Sequence, residues 1–183
     1  MTRALDTSPR PTGSRRGLLR ATALLPIVLG IAGGGAFLAF HHIAPHAFFV
    51  INESRSLPRG LYRLSDAPIV KGAIITITPP AAATAYLERL GAPPDVRLLK
   101  RVAAEGGDLV CRYEAGLEID RVTLGVARHD RQGRLLPQWR DCRVLAPGEL
   151  LVLGDSPDSF DSRYFGPVQR SEAKGPYVEA IRW

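Results

Sequence analysis

Lysine is almost missing from this chain. Only Lys71, Lys100 and Lys174 occur, and arginine carries nearly all of the remaining positive charge. Arginine keeps its proton in any protein setting, whereas a buried lysine can lose it, so a lysine inside an apolar run stands out. Cysteine is limited to Cys111 and Cys142, with no further histidine or cysteine at ligand spacing, which excludes a zinc site. The two thiols allow one disulfide in an oxidising compartment. It would close a loop of about 31 residues and add roughly 3–4 kcal/mol in the chain-entropy picture. Two free buried thiols are the alternative. The body also lacks any stripe of interleaved basic and aromatic residues, so no nucleic-acid partner is expected. Of the formal charge of +6, the first twenty residues hold +4, because Arg3, Arg10, Arg15, Arg16 and Arg20 face only Asp6. The rest of the chain is close to neutral.

Charge is absent altogether from residues 21–40, ATALLPIVLGIAGGGAFLAF. Twenty helical residues span about 30 Å, the thickness of a bilayer core. Arginines precede the run, and no Lys or Arg follows until Arg55. The positive-inside rule then places residues 1–20 as a basic cytoplasmic tail, 21–40 as a single transmembrane anchor, and the remainder outside. A cleaved signal peptide, or a twin-arginine export signal around Arg15 and Arg16, is the alternative. Gly30 and Gly34 have the spacing of helix pairing, a weak signal.

Residues 48–183 form one domain with a mainly β reading. FFVIN, GLYRL, GAIITIT, RLLKRVAA, GDLVCRYE, GELLVLGD and GPYVEAIRW are short aliphatic or β-branched runs, many of them separated by Gly, Pro, Asp or Asn. Ala81–Gly91 is the one soluble helix candidate, with Gly91 as its stop and prolines beyond.

Three segments carry possible chemistry. Asn52 to Tyr62 places Ser54 and Ser56 two residues apart just before Pro58 and Gly60. That pattern is a strand ending in a tight turn, able to expose one hydroxyl beside its own backbone N–H; a plain surface turn is the alternative. In Leu98-Leu-Lys100-Arg-Val102, strand alternation puts Lys100 on the face opposite Leu99 and Arg101, so one of two adjacent cations should point inward. An edge-strand lysine that discourages aggregation is the alternative. Finally, the strand Leu151–Leu153 runs into a loop crowded with Asp155, Asp158, Ser159, Asp161 and Arg163. The acidic spacing of three suggests a calcium loop, but the order of ligands and the closing glutamate of an EF-hand are missing. His41, His42 and His46 sit at the membrane exit, where histidine is tolerated. No metal or cofactor is expected. His129 lies in a polar, hairpin-like stretch that suits solvent exposure, which argues against a Ser-His-Asp triad.

In this order the three segments resemble the signal peptidase I superfamily, over the anchor and nearly all of residues 48–183. The counterparts are Ser56, Lys100 with Arg101 and Asp108, and the box from Gly154 to Gly166. The spacing Asn52-x-Ser54-x-Ser56-x-Pro58-x-Gly60-x-Tyr62 is similar to the TraF-type conjugative-transfer subfamily. So are Gly133 to Trp139, Cys142, and Ser159 to Pro167. The resemblance implies a signal peptidase/LexA-like antiparallel β fold and a serine endopeptidase in the bacterial inner membrane with a periplasmic catalytic domain. Ser56 would be the nucleophile and Lys100 its base, with Lys100 kept neutral by FFVIN, Leu98, Leu99 and Val102. Ser54 would complete the oxyanion hole, Ser159 would orient Lys100, and Asp161 and Arg163 would pair beneath the loop. Asp155 stays open between an orienting and a structural role. The implied partners are an exported, pilin-like precursor, whose product some relatives close into a ring, the membrane, and components of a conjugative type IV secretion machine. A general type I signal peptidase, or a non-catalytic anchored scaffold of a secretion machine, remain the rival readings.

Overall fold

The computed structural model describes residues 48–183. The tail, the membrane run at 21–40 and His41, His42 and His46 lie outside the described residues. Within them no helix is long and apolar enough to cross a membrane.

Two antiparallel sheets make up the domain. The larger has seven strands in the order β1-β2-β11-β3-β4-β9-β10, and the smaller has four in the order β7-β6-β5-β8. β1 (Phe49–Asn52), β2 (Gly60–Leu64), β3 (Ile74–Ile77), β4 (Leu98–Glu105), β9 (Glu149–Leu153), β10 (Val168–Gln169) and β11 (Ala173–Arg182) form the first. β5 (Leu109–Arg112), β6 (Leu117–Ile119), β7 (Val122–Leu124) and β8 (Cys142–Val144) form the second. Each of the seven runs read as strand from the sequence overlaps one of these strands, with β4 running one residue further to Glu105 and β11 starting two residues earlier at Ala173. The short β6, β7, β8 and β10 were not foreseen.

β4 organises the core, because it contributes to both halves of it. Ile75 lies opposite Lys100, and Val102 lies opposite Val152. Ile75, Val102 and Val152 belong to a cluster with Ile77, Leu150 and Phe165. A register shift between Val102 and Ala104 then turns the strand. Ala104 enters a second cluster with Val110, Leu117, Leu145 and Leu151, shared with the smaller sheet. One extra residue in a strand re-aims the side chains that follow it, so a single bulge serves two cores.

α1 (Ala81–Arg89) buries Ala83, Tyr86 and Leu87, the three- and four-residue spacing of one helix face. It stops two residues before the expected end: Leu90 is the cap, and Gly91 takes φ 76°. A glycine in that left-handed region is the ordinary helix stop. α2 (Ser162–Phe165) is a single turn, capped by the Asp161 side chain accepting from the Arg163 N–H. In the smaller sheet, Cys111 and Cys142 face each other across β5 and β8 and are joined by a disulfide.

Candidate active site

The turn after β1 is built by Asn52. This buried side chain donates from Nδ2 to the carbonyls of Leu57 and Pro58 at 2.9 and 3.0 Å, and to that of Ser54 at 3.2 Å. Its Oδ1 accepts the Ser54 N–H at 3.2 Å and the Ser54 hydroxyl at 2.7 Å. An asparagine side chain standing in for backbone is a common way to close a turn. Tyr62 reaches back from β2 and donates to the Pro58 carbonyl at 2.7 Å. The result is a rigid loop with Ser56 near its apex. Neither Asn52 nor Tyr62 was singled out as a site residue. The available signal was that both belong to the same short motif as the two serines.

Lys100 meets that loop from the middle of the large sheet. Its Nζ lies 2.6 Å from Ser56 Oγ and 3.1 Å from Ser159 Oγ, and the Ser159 hydroxyl lies 3.2 Å from Ser56 Oγ. Three polar groups thus form a closed triangle. Packing supports the approach: Leu57, next to Ser56, shares a cluster with Leu99, next to Lys100. Lys100 is 3% exposed, whereas its neighbour Arg101 reaches out to bind Asp155. Burial pushes the Lys100 amine down to about 8; Asp161 pulls the other way and Arg163 adds to the lowering. Desolvation favours the neutral amine; along the sheet, Lys100 lies opposite Ile75 and between Leu98 and Val102 on its strand face. Of the FFVIN segment, Phe48, Phe49 and Ile51 are exposed, whereas Val50 packs against the cluster of Leu57 and Leu99. Leu99 packs on the opposite face of β4.

The loop after β9 closes the site from the third side. The Asp161 carboxylate and the Arg163 guanidinium form a buried pair, at 2.6 Å for Oδ2 and 2.8 Å for Oδ1. Asp161 also accepts the Gly154 N–H at 2.8 Å, and Arg163 donates to the Pro157 and Ser156 carbonyls, both at 2.9 Å. Asp155 takes a structural position. Its carboxylate holds both Nε and Nη2 of Arg101 at 2.9 Å, and its N–H donates to the Ser56 carbonyl at 2.6 Å. The acidic spacing noted in the sequence resolves into three ion pairs: Asp155 with Arg101, Asp158 with Arg131, Asp161 with Arg163. The Ser56 N–H donates to the Ser54 hydroxyl oxygen at 3.3 Å. Asp108 is remote from the triangle: it closes the β4–β5 turn through the Glu105 N–H at 2.8 Å and is held below the usual carboxylate range by that bond and by Lys71. Among the described residues no hydrogen bond joins His129 to Ser56.

Gly154 is required by closeness. A Cβ there would overlap Ser159 Oγ and come within 2.8 Å of the Ser56 carbonyl oxygen. Chemically, the site offers a hydroxyl, an amine close to neutrality, and a backbone N–H beside a second hydroxyl, the parts needed for acyl transfer without histidine.

Residues 19–181 match the family described as signal peptidase, peptidase S26. The chain is 37% identical over 164 residues to a plasmid transfer protein TraF of Escherichia coli, covering 82% of this chain and 93% of that protein. A second plasmid transfer protein TraF of the same organism is 31% identical over 154 residues, covering 73% and 82%. A crystal structure of a signal peptidase I from Enterococcus faecalis shares 24% identity, with a TM-score of 0.35, over 61% of this chain and 98% of that one. At that score the superposition adds nothing to the strand order described above.

Proposed function

This chain belongs to the signal peptidase S26 family, and from that premise we propose that it is a membrane-anchored serine endopeptidase with Ser56 as nucleophile and Lys100 as general base. The observation that carries the reading is the 2.6 Å contact between Lys100 Nζ and Ser56 Oγ, made by an amine that burial pushes down to about 8.

As Ser56 Oγ bonds to the scissile carbonyl carbon, its proton passes to the neutral Lys100 amine. The ammonium returns that proton to the leaving amine as the C–N bond breaks, and an ester remains on Ser56. A water molecule then gives one proton to Lys100 while its oxygen attacks the ester. That proton goes back to Ser56 Oγ as the acyl group leaves as a carboxylic acid. The tetrahedral oxyanion is met by the Ser56 N–H and the Ser54 hydroxyl. In the free protein Ser54 donates to Asn52 and the Ser56 N–H donates to Ser54 Oγ, so both donors must turn to the oxyanion. Ser159 orients the amine, and the Asp161–Arg163 pair holds the loop that carries Ser159.

Residues 21–40 anchor the chain in the bacterial inner membrane, with residues 1–20 inside and 48–183 in the periplasm. Exposed Phe49 and Ile51 on the first strand after the anchor, together with Ile181 and Trp183, suit a position against lipid. The disulfide suits an oxidising compartment. The two relatives named as plasmid transfer proteins point to conjugation as the setting. The substrate is then an exported precursor, a pilin subunit above all. An amine of the same polypeptide could take the place of water at the ester and close a ring.

Mass spectrometry of the major pilin subunit tests the reading. Cells carrying Ser56→Ala or Lys100→Met should accumulate unprocessed precursor. Normal processing and DNA transfer with both variants would instead leave an anchored scaffold.

A further inference from the structure

Beside Ser56 opens a recess of about 320 Å³. Its floor is aromatic and aliphatic: Tyr86, Leu136, Tyr164 and the partly buried Phe160 pack as one cluster. Its rim is charged. A hairpin held by the bridge from His129 to Leu135 forms one wall. That hairpin is tied down on two sides, by the Tyr86 hydroxyl donating to Asp130 at 2.9 Å and by Arg131 paired with Asp158.

The rim charges can be accounted for one by one. Arg134 is satisfied by Asp130 at 2.6 Å, and Arg131 by Asp158. Arg55 is left. It is exposed, lines the recess and has no partner among the described residues. The recess therefore carries one uncompensated positive charge, on the residue adjacent to Ser56. An unpaired guanidinium is a two-toothed donor shaped for a carboxylate.

We propose that Arg55 is a specificity-determining residue that favours substrates carrying a carboxylate close to the scissile bond. The inference rests on the peptidase reading above. An arginine next to the nucleophile reaches roughly two residues along an extended substrate, at about 3.3 Å per residue. The carboxylate comes either from an acidic side chain in that window or from a free chain end just beyond the cut. Arg131 and Arg134 do not compete for it, because each already holds an aspartate.

The test uses the full chain in detergent and a positional library of fluorescence-quenched peptides, each made with a free and an amidated C-terminus. Wild type should cleave peptides with Asp or Glu at one position near the cut about fivefold better than their Asn or Gln counterparts. If the chain end is the source, the free acid should instead exceed the amide by that factor. Arg55→Glu should abolish the preference and favour Lys or Arg at the same position, and 0.5 M NaCl should shrink it in wild type. A preference for either carboxylate that survives in Arg55→Glu, or the absence of both preferences from wild type, overturns the inference. A parallel measurement separates it from the peptidase reading. Ser56→Ala protein should bind the acidic peptides more tightly than the neutral ones, and Ser56→Ala/Arg55→Glu should not. If wild type cleaves nothing while this difference in binding persists, the peptidase reading fails and the role of Arg55 in recognition stands. If the difference is absent, that role fails.

Discussion

The backbone N–H of Asp155 donates to the carbonyl of Ser56 at 2.6 Å, which pins the serine turn directly to the carboxylate-rich loop. Asp155 is in turn fixed by Arg101, the chain neighbour of Lys100. The two proposed reacting groups are thus registered twice, once by their own contact and once through this outer chain of bonds. Such double registration keeps the angles of a short contact as well as its length, and misplacements near 1 Å are costly in acyl transfer.

The pH dependence follows from the buried amine. With the Lys100 ammonium titrating near 8, only about a tenth of the free protein holds a neutral amine at pH 7. Cleavage under kcat/KM conditions should rise about tenfold per pH step below 8 and level off above it. A profile flat from pH 6 to 9 would remove Lys100 as the base.

Stability should show the same group with a defined sign. The folded protein releases the Lys100 proton near 8, while the unfolded chain releases it near 10.5. Between those values the unfolded state binds more protons, so stability contributed by this group rises with pH through that window. Below it, wild type carries a penalty of roughly 3 kcal/mol that Lys100→Met lacks. Urea melts of both proteins from pH 7 to 10.5 should find the stability gap between wild type and variant closing by about that amount. A gap independent of pH would place the amine in water.

Asp161→Asn removes one member of the buried pair and leaves Arg163 uncompensated. The expected cost is about 3–5 kcal/mol in thermal or urea unfolding. Asp161 also raises the Lys100 value and Arg163 lowers it. Whatever activity remains should therefore have its acid limb below 8, a shift that loss of folding alone would not produce.

Gly154→Ala should reduce activity at least about tenfold with little change at the far end of the domain, because the added methyl displaces Ser159 and the Ser56 carbonyl together. A Ser54→Ala variant should lose about 10²-fold in kcat, as expected for one oxyanion donor. If Ser54→Ala is inert and Ser56→Ala active, the two serines have been assigned the wrong way round.

Thiol labelling of unreduced protein should modify neither Cys111 nor Cys142, since the two are joined across β5 and β8. Replacing both with serine should lower stability by about 2–4 kcal/mol.

Much of this was readable from residue order. Short aliphatic or β-branched runs, many of them bounded by Gly, Pro, Asp or Asn, mark β1 to β5, β9 and β11, and alternation along Leu98 to Val102 requires Lys100 and Arg101 to face opposite ways. What alternation cannot supply is partner identity. The hairpin between β6 and β7 turns on Asp120 and Arg121, both with positive φ, so it carried none of the glycine signal that marks such turns. Asn52 reads as a polar residue ending a strand, and its several bonds exist only once the turn is closed around it. Arg55 is one exposed arginine among many in the sequence. Its lack of a partner became visible only when folding matched Arg131 to Asp158, 27 residues away, and the local turn matched Arg134 to Asp130. Local periodicity depends on neighbours a few residues away. Burial depends on packing between segments, and the approach of Lys100 to Ser56 joins positions 44 residues apart, which only the packed fold decides.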